Sequence, residues 1–272
     1  MPVQLADLIA SLEAIAPRAL AGSWDNTGLL LEPPGVGAID TVALTIDLTE
    51  PVLDEALAGG AQAIVAYHPP IFAGLKRLVM GSPSQRVLLR CVAAGLPVYA
   101  PHTALDAAPG GMNDWLLEGL GPIAERRAID PAAPELVPDG AVAGVGRIGA
   151  LAEATPLTTL IRRVKAWLDL AHVRVAAPED HGAGTPLRTV AVCPGAGGSV
   201  FEMLREPVDL LLTGEMRHHD VLARVAAGTS VILTDHTNTE RGFLPVLARR
   251  LEEQLGVSTL ICRKDRDPLV VR

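Results

Sequence analysis

Short apolar runs, each closed by glycine, proline or a polar cluster, recur along the chain. Val42–Asp47, Ala63–Ala66, Val98–Ala100, Val173–Ala176, Thr189–Val192, Val208–Leu212, Val231–Leu233 and Thr259–Cys262 are too short for helices and nearly unbroken in apolar character, which predicts buried strands. Between many of them apolar residues return every three or four positions. That spacing predicts helices over Pro51–Ala58, Ser84–Ala94, Leu157–Leu168, Val200–Arg205 and Phe243–Leu255. The opening MPVQLADLIASLEAIA is spaced the same way and lacks a basic leader, so it reads as an amphipathic helix and not a signal peptide. Strands alternating with helices predict an α/β protein with mixed, largely parallel sheets and flanking helices.

Two breaks interrupt the pattern. Ile129–Gly146 carries Pro131, Pro134 and Pro138, and Ala177–Pro186 is rich in glycine and proline. They predict an N-terminal α/β half over 1–128, a connector with a small insert over 129–186, and a C-terminal α/β half over 187–272.

Composition narrows the classes. The 272 residues are 49 % hydrophobic, enough for a sizeable core and too much for a disordered chain. No stretch approaches the roughly 18 charge-free apolar residues of a membrane span. The net charge of −8 speaks against a phosphate-backbone binder, which needs clustered Lys and Arg. Cys91, Cys193 and Cys262 are odd in number, far apart and without a CxxC pair, which fits reduced thiols in the cytoplasm.

The chemistry collects just past four of the strand-like runs. AIVAYHPP ends on Tyr67 and His68, and VYAPHTALD on His102 and Asp106. DLLLTGEMRHHD delivers Glu215, His218, His219 and Asp220, and VILTDHTNTE delivers Asp235, His236 and Glu240. In open α/β sheets ligands bind beyond the carboxyl ends of strands. Imidazoles and carboxylates at this density suit Zn, Mn or Fe. His102 with Asp106 and His236 with Glu240 share an i, i+4 spacing that puts both members on one face of a helical turn. Taken singly, each histidine is more often a loop or cap residue than a ligand; the recurrence after four strands is what carries weight.

Two glycine-rich stretches divide. GVGRIG (144–149) spells G-x-G-x-x-G but lies in the expected connector, so it reads as a strand with small residues and not a dinucleotide site. PGAGGS (194–199) follows a strand and precedes a helical pattern. It reads either as a phosphate cradle at Gly197 and Gly198 or as a tight turn needing positive φ at one of them. Asn26, Thr27 and Gly28 mark a turn into an apolar strand; Trp24 and Asp25 either line a cleft or belong with that turn, which is the better reading.

WDNTGLLLE (24–32), YHPPIF (67–72), HTALDAAPGGMNDWL (102–116), GEMRHHD (214–220) and DHTNTERGF (235–243) together resemble the Nif-three-like dinuclear metal centre hexameric proteins, also described as GTP cyclohydrolase 1 type 2 homologues. The resemblance implies two intertwined α/β domains with a metal cleft between them, a homohexameric ring, and two divalent metals per chain held by His68, Asp106, His236 and Glu240. Many members carry a second histidine where this chain has Tyr67. A neutral tyrosine is a poor ligand, so one metal is expected to be weakened, absent or completed by His102 or water.

The activity this implies is metal-dependent hydrolysis of a nucleotide or phosphorylated small molecule, with Glu215 or His219 moving protons and PGAGGS holding phosphate. The rival is a ring that stores or senses metal, or an adaptor that binds partner proteins without catalysis.

Overall fold

The structure is a computed structural model describing residues 2–182 and 184–270. The chain divides into two compact units, residues 1–105 with 243–266 and residues 106–242 with 267–272.

The first unit is built on a five-stranded sheet. Its order is β1 (Gly28–Leu31), β4 (Val98–Ala100), β3 (Ala63–Ala66), β2 (Thr41–Thr45) and β13 (Ser258–Ile261). β4, β3, β2 and β13 are parallel, and β1 closes one edge antiparallel. β2, β3 and β4 are apolar on both faces because both are covered. Ala43, Ile64, Ala66 and Val98 pack with Val52, Leu53 and Ala56 of α2 (Glu50–Ala58) and Val87 and Cys91 of α3 (Pro83–Ala93). α1 (Leu5–Ile15) packs on α9 (Leu244–Leu255), which lies against β13.

The helix ends follow local chemistry. α1 opens with a capping box, in which the Gln4 amide donates to Asp7 Oδ2 at 2.9 Å. α9 stops at Gly256, whose φ of 66° a side chain would strain.

The chain leaves the first unit within α4 (His102–Ala107). The second unit holds a six-stranded sheet ordered β5 (Ile123–Arg127), β8 (Arg147–Pro156), β10 (Pro186–Ala196), β11 (Leu210–Glu215), β12 (Ser230–Leu233) and β9 (Arg174–Ala176). Only β10–β11 and β11–β12 are parallel, so this sheet is mixed where the first is mostly parallel. Ile148, Ala191, Cys193, Leu211, Val231 and Phe201 form its core on one face. A two-stranded ribbon pairs β6 (Asp130–Pro131) with β7 (Gly144–Val145).

Residues 129–186, expected as a connector with a small insert, supply β8, α6 (Leu157–Trp167) and β9 to this unit. β8 hid in the sequence because its second half, LAEATP, is small and polar, yet the strand is paired on both sides. Of the span 187–272, residues 187–242 belong to the second unit, and 243–266 return to the first. The helix expected over Val200–Arg205 is the four-residue α7 (Gly198–Phe201). α5 (Met112–Glu118) and α8 (His218–Ala226) complete the second unit.

Arg147 is fully buried in the second unit. Its Nε donates to Asp114 Oδ1 at 2.8 Å and its Nη2 to Oδ2 at 3.2 Å. Other N–H groups reach the carbonyls of Gly144, Gly146, Ala107 and Val142. This guanidinium ties the segment after α4 to the start of β8. Among the described residues no helix is long and apolar enough to cross a membrane.

Candidate metal centre

In the first unit the β2–β3 ladder continues beyond the strands. Tyr67 N donates to Thr45 O and His68 N to Ile46 O, at 2.9 and 3.0 Å. Buried Asp265 holds the same edge by accepting from Ile46 N at 2.6 Å. The prolonged ladder sets Asp47 beside His68, with Oδ1 2.9 Å from Nδ1. His102 follows β4 directly and has a φ of 31°, rare for a residue with a side chain. Its Nδ1 lies 2.7 Å from Asp25 Oδ1, on a carboxylate wholly shielded from solvent. Thr103 N also donates to Asp25, at 3.1 Å, and Thr103 Oγ1 through a short bond. Burial alone would raise the Asp25 pKa, but the bonds from His102, Thr103 and the Asn26 amide outweigh it and hold the group below its ordinary value. Tyr67 is buried and packs on both imidazoles, with ring centroids 5.0 Å from His68 and 5.5 Å from His102.

In the second unit the parallel pair β11–β12 brings Glu215 and His236 to the same end of the sheet. Glu215 Oε1 is 2.6 Å from His236 Nδ1. His236 precedes a 3-10 turn (Thr237–Thr239) and Glu240 follows it, so the i, i+4 pair spans a tight turn and not the start of an α-helix. His236 Nε2 and Glu240 Oε1 lie 3.4 Å apart, and Glu240 is buried. His236 therefore faces a carboxylate at each ring nitrogen, Glu215 at Nδ1 and Glu240 at Nε2.

Gly195 lies against this pair, and a β-carbon there would sit 2.8 Å from His236 Nε2 and 2.9 Å from Glu240 Oε1. Its N–H donates to Thr239 Oγ1 at 2.8 Å. Asp106 and Glu240 both act on the same buried thiol, Cys193, whose pKa is pushed up first by burial and then by these two carboxylates.

The other expected residues are placed as follows. His219 is exposed on the first turn of α8, its ring against His218 at 5.4 Å. Gly197 has a φ of −77° and its N–H donates to Thr213 Oγ1, while the positive φ of the PGAGGS turn is at Gly195 (61°). The turn therefore needs its glycine two residues earlier than expected, where a strand end passes under His236. Glu215 is bound to an imidazole. Asp25 and Asp47 were not singled out as site residues: the first reads in sequence as part of a turn and the second as the end of a strand. A signal was present, since each is an acidic residue beside a buried run within the resembling motifs or just past β2.

Metal-bound imidazoles commonly donate their second nitrogen to a carboxylate, which fixes ring and tautomer. His68, His102 and His236 each do so, with Asp47, Asp25 and Glu215. The donor set thus fits divalent transition metals.

Such a two-unit α/β chain with carboxylate-oriented histidines beyond its strand ends defines a class of candidate metalloproteins. The model of one family, Duf34/NIF3 (NGG1p interacting factor 3), matches residues 3–268, and the chain belongs to that family. It is 44 % identical to a protein NIF3 homolog of Schizosaccharomyces pombe over 267 residues, covering 95 % of this chain and 94 % of the relative. It is 38 % identical to NGG1-interacting factor 3 of Saccharomyces cerevisiae, covering 98 % of this chain and 97 % of that one. A crystal structure of a Bacillus cereus protein related to NIF3 shares the fold, with a TM-score of 0.83, 21 % identity and 98 % of each chain covered.

Proposed function

We propose that the chain is a divalent-metal protein that hydrolyses a nucleotide or another phosphorylated small molecule, with His68, Asp106, His236 and Glu240 as metal ligands. The observation that carries the metal reading is the recurrent bond from imidazole Nδ1 to carboxylate, made by Asp47 at His68 and Glu215 at His236. The donor types of His68 in the first unit and of His236 and Glu240 in the second suit a divalent ion. Asp106 would supply a further carboxylate for a second ion. Two bound divalent ions would supply Lewis acidity and a water of lowered pKa. The chain's own groups have narrower tasks. Asp47 and Glu215 fix ring orientation, and Gly195 leaves open the space beside His236 and Glu240. The bond to His236 supports Glu215 as an orienting group more than as a proton carrier. The homohexamer, the small-molecule substrate and the cytoplasmic location belong to the same reading, through the family resemblance and the three buried thiols.

The rival reading, a partner-binding ring, is favoured by a different observation. Leu75, Leu78, Val79 and Met80 are each 43–55 % exposed in one loop, and the yeast relative is named as an interacting factor.

Metal content per chain, by mass spectrometry of the native protein and of Asp106→Ala, tests the first reading. Two equivalents lost together in the variant support a bridging carboxylate, and one equivalent in the native protein means that Tyr67 has cost the chain a metal. None, even after reconstitution with Zn, Mn or Fe, overturns the metal reading. Fully metallated protein that turns over neither GTP nor a phosphodiester panel removes the hydrolase and leaves the partner-binding ring.

A further inference from the structure

Trp24 and Phe72 are large aromatic side chains held in the open. Trp24 is 65 % exposed and Phe72 54 %. Their centroids are 6.1 Å apart, and each meets the His102 ring nearly edge-on, at 6.2 Å and 82° and at 6.4 Å and 81°. Neither sits on a loose loop. The Asp25 carboxylate anchors Trp24's neighbour to Thr103, and Gly22 N donates to Thr103 Oγ1 at 3.0 Å. Asn26 Nδ2 donates to Ile71 O at 2.5 Å, tying the residue before Phe72 to the Trp24 loop. The indole is backed by Gly22, where an added β-carbon would lie 3.0 Å from both Cε2 and Nε1.

We propose that Trp24 and Phe72 form a stacking platform for the planar heteroaromatic ring of a small-molecule ligand, beside His102. This deepens the small-molecule reading above and rests on it. Rigid exposed rings lose little entropy when covered, and stacking on them needs only a π-face. The two planes are tilted 53° to each other, so one ring stacks flat on a planar ligand while the other meets its edge, a footprint well short of the roughly 1,000 Å² of a stable protein interface. The imidazole in the same cluster adds a polar group that an aliphatic ligand would not use. His102 also packs on His68, at 5.5 Å, so a ring on the platform lies beside an expected metal ligand. The apolar loop residues Leu75 to Met80 make a second copy of the chain the rival occupant.

Equilibrium dialysis of the full-length protein, with its metal content measured, against guanosine and against ribose tests this. Guanosine is expected to bind at least about tenfold more tightly than ribose. Trp24→Ala and Phe72→Ala should each weaken guanosine by about tenfold, with Trp24→Phe restoring most of it and metal content unchanged. Failure of metal-replete protein to prefer guanosine, or unchanged guanosine binding in Trp24→Ala, overturns the platform. So does a Trp24→Ala variant whose assembly falls apart while guanosine binding persists, which makes the ring pair a contact between copies. Guanosine binding that depends on Trp24 in protein that takes up no metal even on reconstitution with Zn, Mn or Fe keeps the platform and rejects the metal reading.

Discussion

The backbone of Gly195 approaches the His236 imidazole so closely that a β-carbon would stand 2.8 Å from Nε2, the nitrogen facing Glu240. A methyl group there takes the space beside both donors. Gly195→Ala should therefore lower metal affinity by at least about tenfold, as loss of ligand-orienting contacts does. The φ of 61° adds backbone strain of about 1–2 kcal/mol, so the chain should stay folded with a lower melting temperature. Metal affinity measured against a competing chelator decides it. Full affinity in a folded Gly195→Ala protein would show that the pair binds no metal.

Glu215 and Asp47 are expected to act through the rings they hold. Truncating a carboxylate behind a metal-bound histidine costs about 10–100-fold in affinity. Glu215→Ala and Asp47→Ala should each show a loss of this size, and Glu215→Gln, which keeps an acceptor oxygen, a smaller one. Chelator competition on the three variants reads out the order. Equal affinities in all of them would reduce these bonds to surface ion pairs.

Much of this was legible in the sequence, and what was not has physical reasons. β2, β3, β4, β11 and β12 announce themselves because strands covered on both faces are apolar without a break. His68, His236 and Glu240 stand out because they follow such runs directly. α4 and α5 did not, since Pro109, Gly110 and Gly111 separate two helices too short to show a period. Asp25 looked like a turn former because the residue that gives it meaning, His102, is 77 positions away. Arg147 lies inside GVGRIG, which reads as a strand with small residues, and nothing local foretells a buried guanidinium. The division into units was also hidden, because the stretch 243–266 completes the sheet begun by the N-terminal residues.

The buried pair of Arg147 and Asp114 should behave as a structural pin. Removing one partner strands the other charge away from water, at a cost of about 3–5 kcal/mol. Asp114→Ala is expected to lose that much in urea unfolding. Asp114→Leu combined with Arg147→Met should recover part of it, because no charge is left buried, although carbonyls around residues 107 and 144 lose a donor. A loss below about 1 kcal/mol for Asp114→Ala, the size of a surface ion pair, would contradict the pin.

Glu50 gives the first unit a defined acid sensitivity. It lies in the first turn of α2, where a negative charge also suits the helix dipole. Arg86 of α3 donates to it through Nε, at 3.0 Å from each oxygen, and through Nη2 at 2.6 Å. These bonds hold the Glu50 pKa below its ordinary value of 4.5. A group whose pKa is depressed by folding contributes stability above its unfolded pKa and loses it as pH falls through the folded one. Glu50→Gln should therefore be less stable than the native chain near neutral pH. The gap should begin to close below about pH 4.5 and vanish at still lower pH, once Glu50 is protonated in the native chain as well. Urea midpoints of the two proteins, followed from about pH 7 to about pH 3, measure that gap. A gap that stayed constant over the whole range would mean that the Arg86 contact contributes through packing and not through charge.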